Sequence, residues 1–375
     1  MNKDSKIYLA GHTGLVGSAL HRGLERHGFT NILTRDHPGL NLVNQADTEA
    51  FFKTERPEYV MLAAARVGGI LANNIYRADF IYDNIQIQSN VIHFSWKYGV
   101  KKLLFLGSSC IYPRNAPQPL REDYLLTSEL EYTNEPYAIA KIAGIKMCES
   151  YNIQHDCNFI SVMPTNLFGP GDNYDLKKSH VLPALIRKFH LGVCLEREDM
   201  DGLRVDLNRR PVEGVGGEAT RQEILKMLAR YGIFSKGRSG SGIYPKPGAG
   251  RVTVTLWGTG RPMREFLYSD DLADACIYLM NEVDFSDMIS KEARSYGKIR
   301  NAHLNIGTGR DHTIADLAGI ISDLVGFKGR IEWDNNKPDG TYRKQMDVTR
   351  INALGWEAST SLKEGIRRVY EIYQK

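Results

Sequence analysis

Cysteine is scarce in this sequence: five thiols in 375 residues, an odd number, with no Cys-x-x-Cys pair. That argues against a disulfide scaffold or a structural zinc site and fits a reducing compartment. No apolar run approaches the roughly 18 residues needed to span a bilayer. The polar start, Met1 to Lys6, carries no signal-peptide pattern. The expectation is a cytoplasmic protein. An excess of one charge is missing too. Lys and Arg number 48 against 44 acidic residues, a net of +4, and no basic run marks a nucleic-acid surface. What remains, 42% hydrophobic and 25% charged, suits one large or two moderate globular domains.

Against that background one stretch stands out, Tyr137-Ala138-Ile139-Ala140-Lys141. It follows a helix-start signal, Asn134-Glu135-Pro136, and opens an apolar-periodic segment to about His155. Positions four apart share a helix face, so a phenol and an ammonium stand side by side. The positive charge is expected to lower the phenol's pKa toward the range of a working acid or base. The same spacing at Tyr98/Lys102 and Tyr174/Lys178 fails on context. Gly99 stops a helix before Lys102, and Tyr174 sits in a loop rich in Gly, Asp and Asn.

The chain around it alternates strands and helices. Ile7 to Ala10 reads as a strand and runs into Gly11-His12-Thr13-Gly14-Leu15-Val16-Gly17, then a helix to about His27. Glycines at that spacing let a backbone approach a pyrophosphate, and a helix N-terminus offers free N–H groups and partial positive charge. A second strand, Asn31 to Thr34, ends in Arg35. An acidic residue there would grip a ribose 2′-hydroxyl; Arg35 points to a 2′-phosphate, hence NADP, although Asp36 is next. Tyr59 to Ala64 is a third strand and a helix follows from about Tyr76 to Tyr98. The fourth strand, Lys102 to Leu106, ends in Gly107-Ser108-Ser109-Cys110-Ile111-Tyr112-Pro113, polar residues where such sheets carry chemistry. After the Tyr137 helix comes a strand from Asn158 to Met163. This is an α/β fold, a Rossmann-like doubly wound parallel sheet.

Past Pro164-Thr165-Asn166-Leu167 the alternation breaks down. His180 to about Leu191 is helical. Residues 195–250 are charged and glycine-rich, with one helix inside from about Thr220, capped through Glu223, to Tyr231. Val252 to Trp257 and His303 to Ile306 read as strands. Helices are expected from Ser269 to about Asn281, from Thr313 to Val325, and from about Leu362, with a turn at Lys337 to Gly340.

Taken together, the glycine turn, Gly-Ser-Ser-Cys-Ile-Tyr-Pro and Tyr-Ala-Ile-Ala-Lys resemble the extended short-chain dehydrogenase/reductases that act on sugar nucleotides. The segments Val67 to Asn74, Asn134 to Lys146, Val162 to Leu167, Pro262 to Leu267 and Lys337 to Thr341 resemble the GDP-L-fucose synthase branch. The resemblance covers roughly 1–193 and 252–375. It implies an NADP(H)-dependent enzyme that inverts C3 and C5 of GDP-4-keto-6-deoxy-D-mannose and then reduces C4. It also implies an NADP-binding domain at 1–166, to which later segments return, and a smaller C-terminal substrate domain at 167–375 holding the insertion. The 195–250 connection is longer than the branch usually has, and Thr13 stands where an arginine is common.

The residues follow from that reading. A proton beside a carbonyl is acidic only when the enolate oxygen is stabilised. Tyr137 would serve that oxygen and later protonate the alkoxide, Lys141 would support it and hold the nicotinamide ribose, and Ser108 would be a second donor. Cys110 as base and His180 as acid match the branch's inverting pair. The resemblance puts the cofactor on Gly11 to Gly17, Arg35, Leu106, Gly107, Ser108, Ser109, Lys141, Pro164, Thr165, Asn166, Leu167 and His180. It puts the GDP-sugar on Lys188, Trp257, Arg264 and Asp339. Core packing is the alternative for Trp257, and a solvated loop charge for Arg264. No metal is called for. A homodimer through the helices at about 76–98 and 137–155 is implied. Cys148, Cys157 and Cys276 read as packing residues. The rivals are another sugar-nucleotide enzyme acting on a different 4-keto sugar, a C4 epimerase, a 4,6-dehydratase, and a non-catalytic NADP-binding regulator. A dehydratase needs a carboxylate pair where Ser109 and Cys110 stand. A regulator would be expected to lack the tyrosine or the lysine.

Overall fold

The computed structural model describes residues 1–235, 252–289, 297–337 and 339–375. The glycine-rich stretches at 238–242 and 248–250, and Pro338 of the expected turn, lie outside the described residues. The chain forms two compact units, each assembled from three segments. The first comprises Met1–Gly171, Glu265–Asp311 and Lys344–Leu362; the second comprises Asp172–Arg264, His312–Arg343 and Lys363–Lys375.

The first unit starts with β1 (Ile7–Ala10), α1 (Leu15–Arg26), β2 (Ile32–Leu33), α2 (Gln45–Glu55) and β3 (Tyr59–Leu62). It continues through the short α3 (Ile70–Ile75), α4 (Arg77–Lys97), β4 (Lys102–Leu106), α5 (Glu135–His155), β5 (Phe159–Pro164) and β6 (Asn166–Phe168). In the second unit come α6 (Val181–Glu196), α7 (Met200–Arg209), α8 (Arg221–Arg230), β7 (Ile233–Ser235) and β8 (Val252–Trp257). Then β9 (Met263–Tyr268) carries the chain back to the first unit, with α9 (Ser269–Glu282) and β10 (His303–Ile306). Next are α10 (Ile314–Val325) and β11 (Arg330–Asp334), and α11 (Thr349–Ala353) and α12 (Leu362–Gln374) close the chain.

The first unit is built on a six-stranded sheet in the order β10-β5-β4-β3-β1-β2, all parallel. The doubly wound sheet read from the sequence is present. Its central strands send alternate residues to opposite faces. Leu104 and Leu106 of β4 join a core with α1 and α9, while Leu103 and Phe105 join a core with α2, α4 and α5. Each fully buried Leu or Phe contributes about 1.5–3 kcal/mol, which is why these strands read as unbroken apolar runs. One exception is informative. Lys102 is buried, and its Nζ donates to the carbonyls of Leu279, Met280 and Val283 at 2.9, 3.1 and 2.6 Å. The ammonium thus satisfies the open C-terminal carbonyls of α9, whose last turn holds no basic residue of its own.

In the second unit β8 pairs in parallel with β11 and antiparallel with β7. The capping box expected at Thr220 and Glu223 forms and starts α8. The expectation of a single helix within the insertion is corrected: α7 precedes it and β7 follows it. The helix from His180 also runs further than expected, to Glu196.

Candidate active site

In a parallel sheet the strands' carboxyl ends are where loops can gather chemistry. The order of the first sheet reverses direction between β1 and β3, and the glycine turn sits there. Gly11 has a φ of +85°, and a Cβ on it would lie 2.6 Å from the Ala64 nitrogen at the end of β3. A Cβ on Gly17 would lie 1.9 Å from the Gly11 carbonyl oxygen. Only glycine fits at either place. Gly14 caps α1 without any side-chain bond, so the first N–H groups of the helix are left for a ligand. His12 is half-buried, with Nδ1 lacking a partner, while Thr13 and Gly14 are exposed. This cradle fits a dinucleotide's phosphates. Arg35 stands exposed at the end of β2, its guanidinium 2.8 Å from the Glu55 carboxylate and 2.8 Å from the Thr34 carbonyl.

Two strands along, β4 ends at Leu106 and runs into Gly107 and Ser108. A Cβ on Gly107 would lie 2.2 Å from the end of the Met163 side chain, which lies over the glycine. Ser109 to Ile111 make one turn of 3-10 helix, and the Ser108 hydroxyl accepts from the Cys110 amide at 3.5 Å. Helix α5 lies against this strand end for a specific reason. A Cβ on Gly144 would lie 2.4 Å from the Phe105 ring, so the glycine lets the helix settle onto β4. The Gln88 amide on α4 ties it down at the Ala140 carbonyl, 2.5 Å away. Lys141 is thereby buried, with Nζ 2.7 Å from the Leu106 carbonyl, 4.8 Å from the Phe105 ring centre and 5.8 Å from that of Tyr137. Tyr137, in the first turn of α5, packs edge-on against Phe80 at 6.3 Å. The first unit thus gathers Ser108, Cys110, Tyr137 and Lys141 at the end of one strand.

The electrostatics differ from the expectation. The Tyr137 pKa is not lowered. Burial pushes it well above the usual phenol value, the Cys110 sulfur adds to the rise, and only a bond from Ser108 works against it. Sequence spacing showed the lysine one turn away but not the loss of water around the phenol. Burial also brings Lys141 down to about 8, partly offset by Cys110. Cys110 is buried and burial raises its thiol, against opposing pulls from Lys344, Ser108 and Lys141. A phenol and a thiol held in their neutral forms are poised to donate protons.

The other cofactor positions lie after β5. Pro164 ends that strand, the Thr165 hydroxyl and the Asn166 amide reach the Glu265 carbonyl at 3.4 and 2.8 Å, and Leu167 is half-buried in β6. Glu265 was missed at the sequence level. It is fully buried on β9, and its carboxylate accepts from the amides of Thr308, Gly309 and Met346 at 2.5, 2.8 and 2.7 Å. Its only sequence signal is its place beside Arg264 in Pro262-Met263-Arg264-Glu265-Phe266-Leu267.

The remaining predicted residues lie in the second unit. His180 is the N-cap of α6. Its side chain makes no capping bond and is exposed, and the surrounding atoms lower its pKa to an extent tempered by solvent. Lys188 is buried two turns along the same helix, its Nζ 3.1 Å from the Thr255 carbonyl and its pKa brought by burial to about 8. Two residues past Thr255 on β8, Trp257 is 71% exposed with the Lys337 ammonium 5.4 Å from its ring, so core packing is overturned as its role. Asp339 is exposed and accepts from the Thr259 amide and hydroxyl at 2.9 and 2.7 Å, bonds that lower its pKa. Arg264 is half-buried on β9, not a free loop charge. It donates to the Met263 carbonyl at 2.7 Å, and a Cβ on Gly340 would lie 3.0 Å from its Nη2.

The cysteines expected to be packing residues behave accordingly. Cys148 and Cys276 are buried, while Cys157 is half-buried. Cys194 is buried too, with Sγ 3.8 Å from His190 Nε2. Among the described residues no cluster of three or more His, Cys, Asp or Glu side chains could hold a metal ion, and no helix is long and apolar enough to cross a membrane.

The sequence profile of the NAD dependent epimerase/dehydratase family matches residues 7–205 and 241–295. The chain belongs to that family. Within the NAD dependent epimerase/dehydratase family, GDP-L-fucose synthase 1 of Arabidopsis thaliana is 46% identical over 374 residues, covering 100% of this chain and 94% of its own. A solved GDP-6-OMe-4-keto-L-xylo-heptose reductase from C. jejuni is 42% identical, with a TM-score of 0.87 and coverage of 100% and 99%. A GDP-mannoheptose C4 reductase from Campylobacter jejuni, solved with NADP bound, is 42% identical, with a TM-score of 0.84 and full coverage of both chains.

Proposed function

We propose that this chain converts GDP-4-keto-6-deoxy-D-mannose to GDP-L-fucose with NADPH, by inversion at C3 and C5 followed by reduction of the C4 ketone. The observation that carries it is the gathering of Tyr137, Ser108 and Cys110 at the end of β4, with Lys141 buried one helical turn from the tyrosine. The 46% identity to the Arabidopsis enzyme over the full length supports the substrate.

The first unit takes the cofactor, with Gly11 to Gly17 around the phosphates and Arg35 exchanging Glu55 for a 2′-phosphate. When bound, the nicotinamide supplies a hydride. The neutral Tyr137 phenol and the Ser108 hydroxyl hydrogen-bond the substrate's C4 oxygen, which makes the neighbouring C–H protons acidic. After reduction the phenol gives its proton to that oxygen. Lys141 keeps a positive charge beside the phenol. Cys110 and His180 carry the proton transfers of inversion, with Cys110 as base and His180 as acid. That order requires a thiolate, which burial disfavours at Cys110, and an imidazolium, which the lowered pKa of His180 disfavours. In the second unit Lys188 and Arg264 pair with the diphosphate, Trp257 stacks and Asp339 accepts from hydroxyl or guanine N–H groups.

The test is to incubate the protein with NADPH and the 4-keto sugar nucleotide and follow the nicotinamide absorbance. Oxidation with deuterium entry at C3 and C5 in heavy water is expected; none from a folded sample refutes the reading. A second reading is C4 reduction of a GDP-linked 4-keto heptose, favoured by the two 42% identical reductases. Competition between the 6-deoxy and heptose substrates decides, with the higher kcat/KM expected for the 6-deoxy sugar.

We also propose a homodimer. Tyr82 and Trp96 on α4 and Ile139 and Ile153 on α5 are exposed, each pair spaced fourteen residues apart and so on one helix face. A monomer mass at micromolar concentration would exclude it. The five free thiols support a reducing, cytoplasmic setting.

A further inference from the structure

The family profile skips residues 206–240, and neither the chemistry nor the nucleotide contacts above use the described part of that stretch. Inside the second unit it has definite partners. Asp206 of α7 is buried, and its carboxylate receives Arg187 Nε and Nη2 at 2.9 and 2.8 Å as well as the Tyr373 hydroxyl. Arg187, itself 1% exposed, donates through Nη1 to the Tyr174 carbonyl at 3.1 Å and through Nη2 to the Arg210 carbonyl. Arg210 follows α7 directly, and its guanidinium lies 5.1 Å from the Tyr174 ring and 4.2 Å from that of Tyr373. Glu213 pairs with Lys177 at 3.7 Å and with Arg230 of α8. Tyr174 and Lys177 belong to the loop that ends in His180. That loop is therefore held through a carbonyl, a ring and an ammonium, each gripped from the turn after α7 or by Arg187, which Asp206 of α7 neutralises. The His180 side chain has no capping bond to aim it, so the loop sets where the imidazole points.

We infer that residues 197–231 are a brace for His180, and that Asp206, acting through Arg187, and Arg210 are positioning residues for the inversion step. The inversion part rests on the function proposed above; the bracing of the loop does not. Misplacing a reacting group by about 1 Å can cost on the order of 100-fold in rate, so a loosened loop should be costly for the step that uses His180 and silent in the step that does not.

Removing Asp206 would strand the buried Arg187 without a counter-charge and endanger folding. The test therefore uses the outer half of the brace, Arg210→Met alone and combined with Glu213→Gln. Hydrogen exchange read by mass spectrometry should speed up by about tenfold or more at residues 172–180, while α5 and β4 stay as in the parent. With NADPH and the 4-keto sugar nucleotide, deuterium entry should fall about tenfold, whereas reduction of sugar already inverted should stay within about twofold. Unchanged exchange in the loop overturns the brace. So does an equal loss of inversion and reduction, which would mean general damage. If the parent protein puts no deuterium into the sugar at all, it is the proposed reaction that falls, and the amide exchange still decides the brace.

Discussion

The two units hold their predicted residues in opposite ways. At the end of β4 Cys110 and Lys141 are enclosed and Ser108 and Tyr137 half-buried: Lys141 is 3% exposed, and its charge is held by one carbonyl and two ring faces. In the second unit two of the recognising groups face water, Trp257 at 71% exposure and Asp339, which accepts from Thr259, while Lys188 is buried and Arg264 half-buried. Low dielectric strengthens dipoles aimed at a developing charge and shifts pKa values. A solvent-facing ring and carboxylate lose little by waiting for a ligand. The difference teaches that changes in the first set should lower rate constants and changes in the second should raise KM.

The sharpest way to break that contrast is Tyr137→Phe. It should cost about 3–4 kcal/mol of transition-state stabilisation, a loss of roughly 100- to 1000-fold in kcat, with NADPH affinity unchanged by fluorescence titration. A loss carried by KM instead would erase the distinction.

Next is pH. Lys141 titrates at about 8 rather than 10.5, so reduction should slow as pH rises through about 8, and Lys141→Arg should push that limb beyond the measurable range. The same shift has a stability sign. Between about 8 and 10.5 the unfolded chain binds more protons than the folded one, so this lysine adds stability as pH rises across that window. Lys141→Met should remove that part of the slope in urea titrations.

Arg264→Lys keeps the charge but loses the fork that grips a diphosphate. KM for the sugar nucleotide should rise about tenfold with kcat nearly constant. Smallest is Trp257→Ala, for which a rise in KM of about threefold is expected in the same steady-state assay. A fall in kcat from either change would mean that recognition and chemistry are not divided as the two environments suggest.

Much of the first sheet was readable because local pattern and burial agree there. β1, β3, β4 and β5 are apolar runs bounded by glycine or polar residues, and α5 begins at a marked start. β9 was not readable as a strand, since Arg264 and Glu265 put two charges in its middle. Glu265 belongs in the core only because amides from residues 308, 309 and 346 converge on it. α7 failed for the same reason. Its Asp206 is buried because Arg187, nineteen positions back, meets it. Among the site residues, spacing placed Tyr137 and Lys141 together but gave no measure of enclosure, so the direction of the phenol's shift was missed. For Trp257, an exposed ring and a packed ring look alike in sequence, and only the fold separates them.

The order in which the strands enter the first sheet bears on how the protein is made. Its edge strand β10, residues 303–306, pairs with β5, residues 159–164, across a detour through the second unit. On a ribosome adding about 5–20 residues per second, the partner edge of β5 waits roughly 7–30 s before β10 is translated. During that interval a row of backbone donors and acceptors stands open to neighbouring nascent chains. Truncated transcripts ending before residue 303 should therefore yield aggregates rather than a soluble half.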